Sequence, residues 1–178
     1  MSDHHAIVLP GAGYAAARPL LHYTRVVLES HGWTVVEASW PADAAEREPD
    51  EMVTEIATRL VAEAEERRPL IVGKSIGSLA MPLAASLGLS GIWITPLLRR
   101  PAVAGALDRL SAPTLLIGST ADETWDGEAA RRSGHDVVEL TDANHALELG
   151  GDPLGSIDLL RRVIESVDRL VAGLDAGA

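Results

Sequence analysis

The stretch Gly73-Lys74-Ser75-Ile76-Gly77 sets a serine between two glycines in a G-x-S-x-G pattern, directly after the apolar run Leu70-Ile71-Val72. A serine at a sharp strand-to-helix turn is lifted above its sheet, and its neighbours must be small to avoid clashes. A helix that follows directs its free N–H groups and dipole towards the same hydroxyl. Serine is a weak nucleophile until a base takes its proton. Two later stretches can supply that base and its support. Ser119-Thr120-Ala121-Asp122 follows the apolar run Thr114–Gly118 and carries a carboxylate. Thr141-Asp142-Ala143-Asn144-His145 follows Val137–Leu140 and carries an imidazole. The chemistry this combination suits is acyl transfer: Ser75 attacks a carbonyl carbon, His145 moves the proton, and Asp122 holds the imidazole's tautomer and stabilises its cation.

Such a reaction needs hydrogen-bond donors already in place for the developing oxyanion. One is the N–H of Ile76, the residue after the serine. The second is expected from the turn Pro10-Gly11-Ala12-Gly13-Tyr14 after the first apolar run, with Ala12 as first choice and Gly13 as the alternative. Gly11 and Gly13 let backbone approach a ligand closely, and Tyr14 stands beside them. Glu123 and Asp126 compete with Asp122, which sits soonest after its strand. His135 precedes the last strand and so belongs at the opposite edge from His145. His4 and His5 form a terminal pair read as solvated tail, and nothing else shows metal-ligand spacing. No metal or cofactor is expected. Lys74 is read as a surface position, or else as a residue that draws an anionic substrate or stabilises the turn. Arg99 and Arg100 are read as solvated loop charge, or as a clamp for a carboxylate. Trp40 and Trp125 are candidates for pocket wall, and Trp93 for the core.

Short apolar runs alternating with helical patterns must position these groups. Strands are expected at Ala6–Leu9, Thr34–Ala38, Leu70–Val72, Ile92–Thr95, Thr114–Gly118 and Val137–Leu140. Helices are expected at about Arg18–His31, from near Glu51 with Asp50 as cap, after Ser75, at Val103–Leu110, at Gly127–Arg132 and at Ile157–Val171. In the second of these Met52, Ile56, Leu60 and Ala64 form the apolar face, while Glu55, Arg59, Glu63 and Glu66 face water. Pro82 is expected to kink the helix after the serine. The tail Ala172–Ala178 is expected to fray. Alternation of this kind implies an α/β fold, a six-stranded mostly parallel sheet flanked by helices on both faces. Ligands then sit beyond the carboxyl ends of the strands.

Composition narrows the function further. The 178 residues suit one domain and carry a net charge of −11, which disfavours nucleic acid and anionic membrane surfaces. Ile76–Leu98 is uncharged and long enough to span a bilayer, but Pro82, Gly88, Gly91 and Pro96 divide it into a buried helix, a turn and a strand. The chain has no cysteine, which excludes disulfides, thiolate metal sites and a cysteine nucleophile, and fits a cytoplasmic setting. The opening Met-Ser-Asp-His-His lacks the blocks of a signal peptide.

From Ala6 to Leu174 the sequence resembles the α/β-hydrolase superfamily, most of all its small, lidless, dienelactone-hydrolase-like bacterial members with a serine nucleophile. The stretches IVLPGAGY, LIVGKSIGS, TLLIGSTADETWD and DANHALE carry the resemblance, and the order Ser75, Asp122, His145 is that of the fold. The resemblance implies a minimal α/β-hydrolase fold without a lid domain, with Ser75, Asp122 and His145 as triad and Ile76 and Ala12 as oxyanion donors. It implies a serine esterase acting on a small-molecule ester, thioester or lactone. Pro10 stands where many relatives have histidine, and Ser78 fits loosely where they have a smaller residue. With only Pro96–Pro101 after the fourth strand, an open site is expected that admits a small or protruding substrate rather than a long lipid. The same constellation would also serve non-hydrolytic acyl transfer, cyclisation or lyase chemistry, or remain in a binding module without turnover.

Overall fold

The computed structural model describes residues 4–65 and 67–176. Its strands are β1 (His5–Leu9), β2 (Thr34–Glu37), β3 (Leu70–Lys74), β4 (Gly91–Ile94), β5 (Thr114–Ser119) and β6 (Asp136–Leu140). They form one sheet in the order β2-β1-β3-β4-β5-β6, and every pairing is parallel. The helices are α1 (Pro19–Ser30), α2 (Pro49–Glu63), α3 (Met81–Leu87), α4 (Pro101–Leu107), α5 (Gly127–Arg132) and α6 (Pro153–Ala176).

The sheet is covered on both faces, which is why β3, β4 and β5 are buried at every residue and carry continuous apolar runs. On one face α1 and α6 pack together over Val8, Val72, Ile92 and Ile117. On the other, α2 to α5 cover Ile7, Leu9, Ile71, Trp93 and Leu116. Trp93 belongs to this core, as its place inside a strand implies, lying across the bare faces of Gly73 and Gly91. Apart from the exposed Ser86 and Leu87, the segment Ile76–Leu98 is buried or half-buried, and no helix among the described residues is long and apolar enough to cross a membrane.

Several local expectations are corrected. Asp50 is not the cap of α2: Glu48 holds that position, and Asp50 lies in the first turn, paired with Arg100. Pro82 does not kink a helix, because Ser75–Ala80 is a 3₁₀ segment and α3 begins only at Met81. There the proline's missing N–H removes no helix bond. The carboxyl-terminal region is helical through Ala176 rather than frayed from Ala172. Asp175 accounts for this, accepting hydrogen bonds from His31 Nδ1 at 2.7 Å and Trp33 Nε1 at 2.9 Å, with His4 Nδ1 at 3.0 Å. His4 and His5 are accordingly no solvated tail; His5 opens β1. The expectation for Glu66 lies outside the described residues, as do Gly177 and Ala178.

Candidate active site

The turn after β3 holds Ser75 at φ +54°, a left-handed conformation that a non-glycine residue adopts at a cost of about 1–3 kcal/mol. Close packing imposes it. A Cβ at Gly77 would strike the carbonyl of Leu9, and one at Gly73 would meet the carbonyl of Gly77 and the Trp93 ring at 2.8 Å. The two glycines therefore let β3, the turn and β1 approach closely enough to lift the serine above the sheet. Ser78 reinforces the turn: its hydroxyl donates to the Ser75 carbonyl at 2.6 Å and accepts from Leu97 N–H at 3.0 Å. The hydroxyl at 78 thus has a structural use that a smaller residue could not fill.

Three side chains distant in sequence meet here. Ser75 Oγ lies 2.8 Å from His145 Nε2, and His145 Nδ1 lies 2.8 Å from Asp122 Oδ2. The Asp122 side chain is 2% exposed and that of His145 40% exposed. Burial pushes the Asp122 carboxyl up, but hydrogen bonds from His145, Thr124 N–H and Thr124 O–H outweigh it and hold the group below the usual carboxylate range. Both Thr124 bonds reach Oδ1 at 2.9 Å, which turns Oδ2 towards the imidazole. Asp122, not Glu123 or Asp126, is the acid joined to His145 Nδ1. Asp126 caps α5 through Ala129 N–H, and Glu123 gives its carbonyl to Arg99 Nε. His135 lies before β6, away from this edge.

The histidine loop is itself braced. Asn144 Oδ1 accepts the N–H groups of Ala146 at 2.8 Å and Glu148 at 3.1 Å. Ser119 Oγ accepts Ala143 N–H at 3.0 Å, tying the end of β5 to the segment before His145. In the first loop, Gly11 N–H is engaged by the Tyr14 carbonyl at 3.1 Å, whereas Ala12 and Gly13 border the cleft. Ile76 N–H belongs to the first turn of the 3₁₀ segment, where backbone donors have no partner within the helix.

Lys74 is not a surface residue. It is 1% exposed, and its Nζ donates to Thr95 Oγ1 at 2.8 Å and to the His145 carbonyl at 2.9 Å. Its ammonium also stands 5.0 Å from the centre of the Tyr14 ring. Burial lowers its pKa to about 8, with Asp122 opposing that drop and Arg18 adding to it. The chain's single lysine therefore connects β3, the end of β4 and the histidine loop. Its bonds favour a role in holding the turn over one in drawing substrate.

A cleft of about 510 Å3 gathers Gly11, Ala12, Gly13, Tyr14, Lys74 and Arg18 around Ser75 and His145. Arg99 and Trp125 do not border it. Trp125 is buried against the bare face of Gly118 and donates Nε1–H to Glu139 at 2.7 Å, so it is core rather than pocket wall. Trp40 reaches the site only indirectly, donating to the Gly11 carbonyl at 3.3 Å. Thr124, Ser119, Asn144 and Thr95 escaped sequence reasoning. Only Thr124 and Asn144 carried a local signal, being polar residues close to Asp122 and His145 in the chain.

The all-parallel sheet, the serine turn after β3 and the short link from β4 to α4 define the fold of a lidless α/β hydrolase. Solved structures share it. Est1E from Butyrivibrio proteoclasticus matches with a TM-score of 0.77 at 14% identity, over 97% of this chain and 88% of that one. An α/β serine hydrolase without lid from Xanthomonas campestris matches with a TM-score of 0.66 at 21% identity, over 95% and 83% of the two chains. An esterase from Pyrococcus furiosus matches with a TM-score of 0.66 at 16% identity, over 96% and 84%. No family model matches the chain, and no curated protein matches it either.

Proposed function

We propose that this protein is a serine hydrolase that cleaves a carboxylic ester, thioester or lactone through an acyl-enzyme. The observation that carries the reading is the continuous hydrogen-bonded line from Ser75 Oγ through His145 to Asp122, with 2.8 Å at each step. Ser75 Oγ attacks the carbonyl carbon while His145 Nε2 takes its proton. The resulting oxyanion is held by the N–H groups of Ile76 and Ala12. The intermediate collapses as the bond to the leaving atom breaks and that atom takes the proton from Nε2. Water, deprotonated by His145, then attacks the acyl carbon and releases the acid and free Ser75. Asp122, kept anionic by Thr124, stabilises the imidazolium in both halves. The hydrolases among the fold neighbours support the same reaction class.

A fluorophosphonate probe tests this. It should label Ser75, located by mass mapping, at pH values between about 6 and 9, where a histidine base is neutral for part or most of the population. Ser75→Ala should abolish labelling and lower ester turnover by a factor on the order of a million. Absence of labelling across that range, or wild-type turnover by the variant, would overturn the reading.

A further inference from the structure

Beside the triad cleft lies a second, open cavity of about 440 Å3, lined by the start of α1, the chain from Ala146 to Asp152 and the first turns of α6. It shares two walls with the cleft, Tyr14 and Ala146. We propose that this cavity binds an uncharged, apolar leaving group, the alcohol or thiol portion of the substrate, while the acyl portion is short and faces the open cleft. The inference rests on the hydrolase reading above and goes beyond it by assigning each half of the substrate a direction.

The direction follows from the proton. The leaving atom must receive it from His145 Nε2, so the leaving group departs on the histidine side of the carbonyl, away from the donors of Ile76 and Ala12. Ala146 follows His145 directly and borders both the cleft and the second cavity. The lining chemistry selects the occupant. Leu20, Leu147, Leu149, Ile157 and Leu160 supply apolar surface, and among the described residues no lysine, arginine or histidine borders the cavity. Glu148 and Asp152 are its charged neighbours, so an anionic leaving group is repelled. Glu148 is close enough to act on Tyr14 electrostatically. The walls are already formed: Leu149 bridges Asp152, Leu149 N–H donates to Ser156 Oγ at 2.8 Å, and Leu20 N–H donates to Tyr14 Oη at 3.1 Å. Ile157 keeps 59% of its surface exposed at the rim, an apolar side chain that such a ligand would cover. The volume falls within the range of small-molecule sites, so a chain of moderate length fills it and a longer one protrudes.

Isomeric esters separate the two halves of the substrate. Along alkyl acetates from ethyl to hexyl, kcat/KM should climb by up to about fourfold per buried methylene and then level off. Along ethyl alkanoates from acetate to hexanoate it should stay nearly flat. Hexyl acetate should therefore exceed its isomer ethyl hexanoate by at least about tenfold. Ile157→Asp, at an exposed position, should leave the melting temperature near wild type and draw that ratio towards one. Equal rates for the isomers, a preference for ethyl hexanoate, or a ratio unmoved in Ile157→Asp would overturn the inference while Ser75 still accepts the fluorophosphonate. Failure of Ser75 to accept it would overturn the hydrolase reading, and this inference with it.

Discussion

Replacing Lys74 by methionine keeps an unbranched side chain only one atom shorter and removes its charge and its donors, so it asks what a buried ammonium does beneath this site. Burial lowers the lysine's pKa from the ordinary 10.5 to about 8, equivalent to about 3 kcal/mol of folding free energy. The sign follows from proton binding. Below pH 8 folded and unfolded chains both carry the proton, and the full cost of the buried charge is present. Between pH 8 and 10.5 the folded protein has released a proton that the unfolded chain still holds, so stability rises with pH. Above 10.5 the cost is gone. The groups facing the ammonium are Asp122, which attracts it, Arg18, which repels it, and the Tyr14 ring. Urea unfolding of wild type and Lys74→Met at intervals from pH 7 to 11 isolates the lysine, because the other groups titrate in both proteins. Wild-type stability should gain on the variant by up to about 3 kcal/mol across that range. Activity at pH 7 should move the other way: without a donor for the His145 carbonyl and Thr95 Oγ1, the histidine loop shifts and kcat falls roughly tenfold to a hundredfold. Parallel stability curves would refute the buried charge, and an unchanged kcat would refute its hold on the loop.

Two further outcomes test other strained or charged features. Ser75→Gly and Ser75→Ala should be equally inactive, but glycine relieves the positive φ. Strain of about 1–3 kcal/mol less glycine's unfolded-chain entropy leaves Ser75→Gly about 1 kcal/mol more stable than Ser75→Ala, measurable by urea unfolding; the reverse order would count against strain at the turn. Asp175→Asn should loosen the joint between the carboxyl-terminal helix and His31. His31 is raised by its hydrogen bonds to Asp168 and Asp175, and its contribution is full below 6.5 and fades as pH climbs through the raised value. Burial pushes Asp175 up, but bonds from Trp33, His31 and His4 bring it below 3.8, so its contribution is full above 3.8 and fades as pH falls through the lowered value. The variant's deficit in urea unfolding should accordingly be largest between about pH 4 and 6.5, and a deficit independent of pH would argue against the ion pairs.

The parts of the fold legible in the sequence were those written in local pattern. Val and Ile runs marked strands that lie covered on both faces, and the spacing of Met52, Ile56 and Leu60 marked the inner face of α2. Ser75, Asp122 and His145 were legible because each follows a strand end, and a parallel sheet brings such ends to one rim. Lys74 was misread for the opposite reason. Its partners, Thr95 and His145, are 21 and 71 residues away, so neither composition nor spacing shows that its ammonium is enclosed. Trp125 was misplaced because what decides its direction is the bare face of Gly118 on β5 together with Glu139 on β6. The expected helix Ile157–Val171 falls short of α6 at both ends: α6 starts at Pro153, with Asp152 Oδ1 accepting Gly155 N–H in its first turn, and its last turn is held by His31 and Trp33, from the other end of the chain.

The misread lysine stands beside two strained residues, Ser75 and Thr95, and that has a physical reason. A hydroxyl held ready for attack requires Ser75 in a conformation its backbone disfavours. Thr95, the acceptor for Lys74, is also at positive φ, at +42°. Neither conformation persists unless its surroundings over-determine it. Ser78 fastens the serine turn to Leu97, and Lys74 fastens the end of β3 to Thr95 and to the histidine carbonyl. The first of these bonds would hold a backbone without regard to chemistry. The second joins the serine turn to the histidine loop, so it sets how far Oγ stands from Nε2. An apolar side chain at 74 would remove the cost of the buried charge near neutral pH, but it would also take the donor from Thr95 Oγ1 and the His145 carbonyl and let the two halves of the proton-transfer pair drift apart.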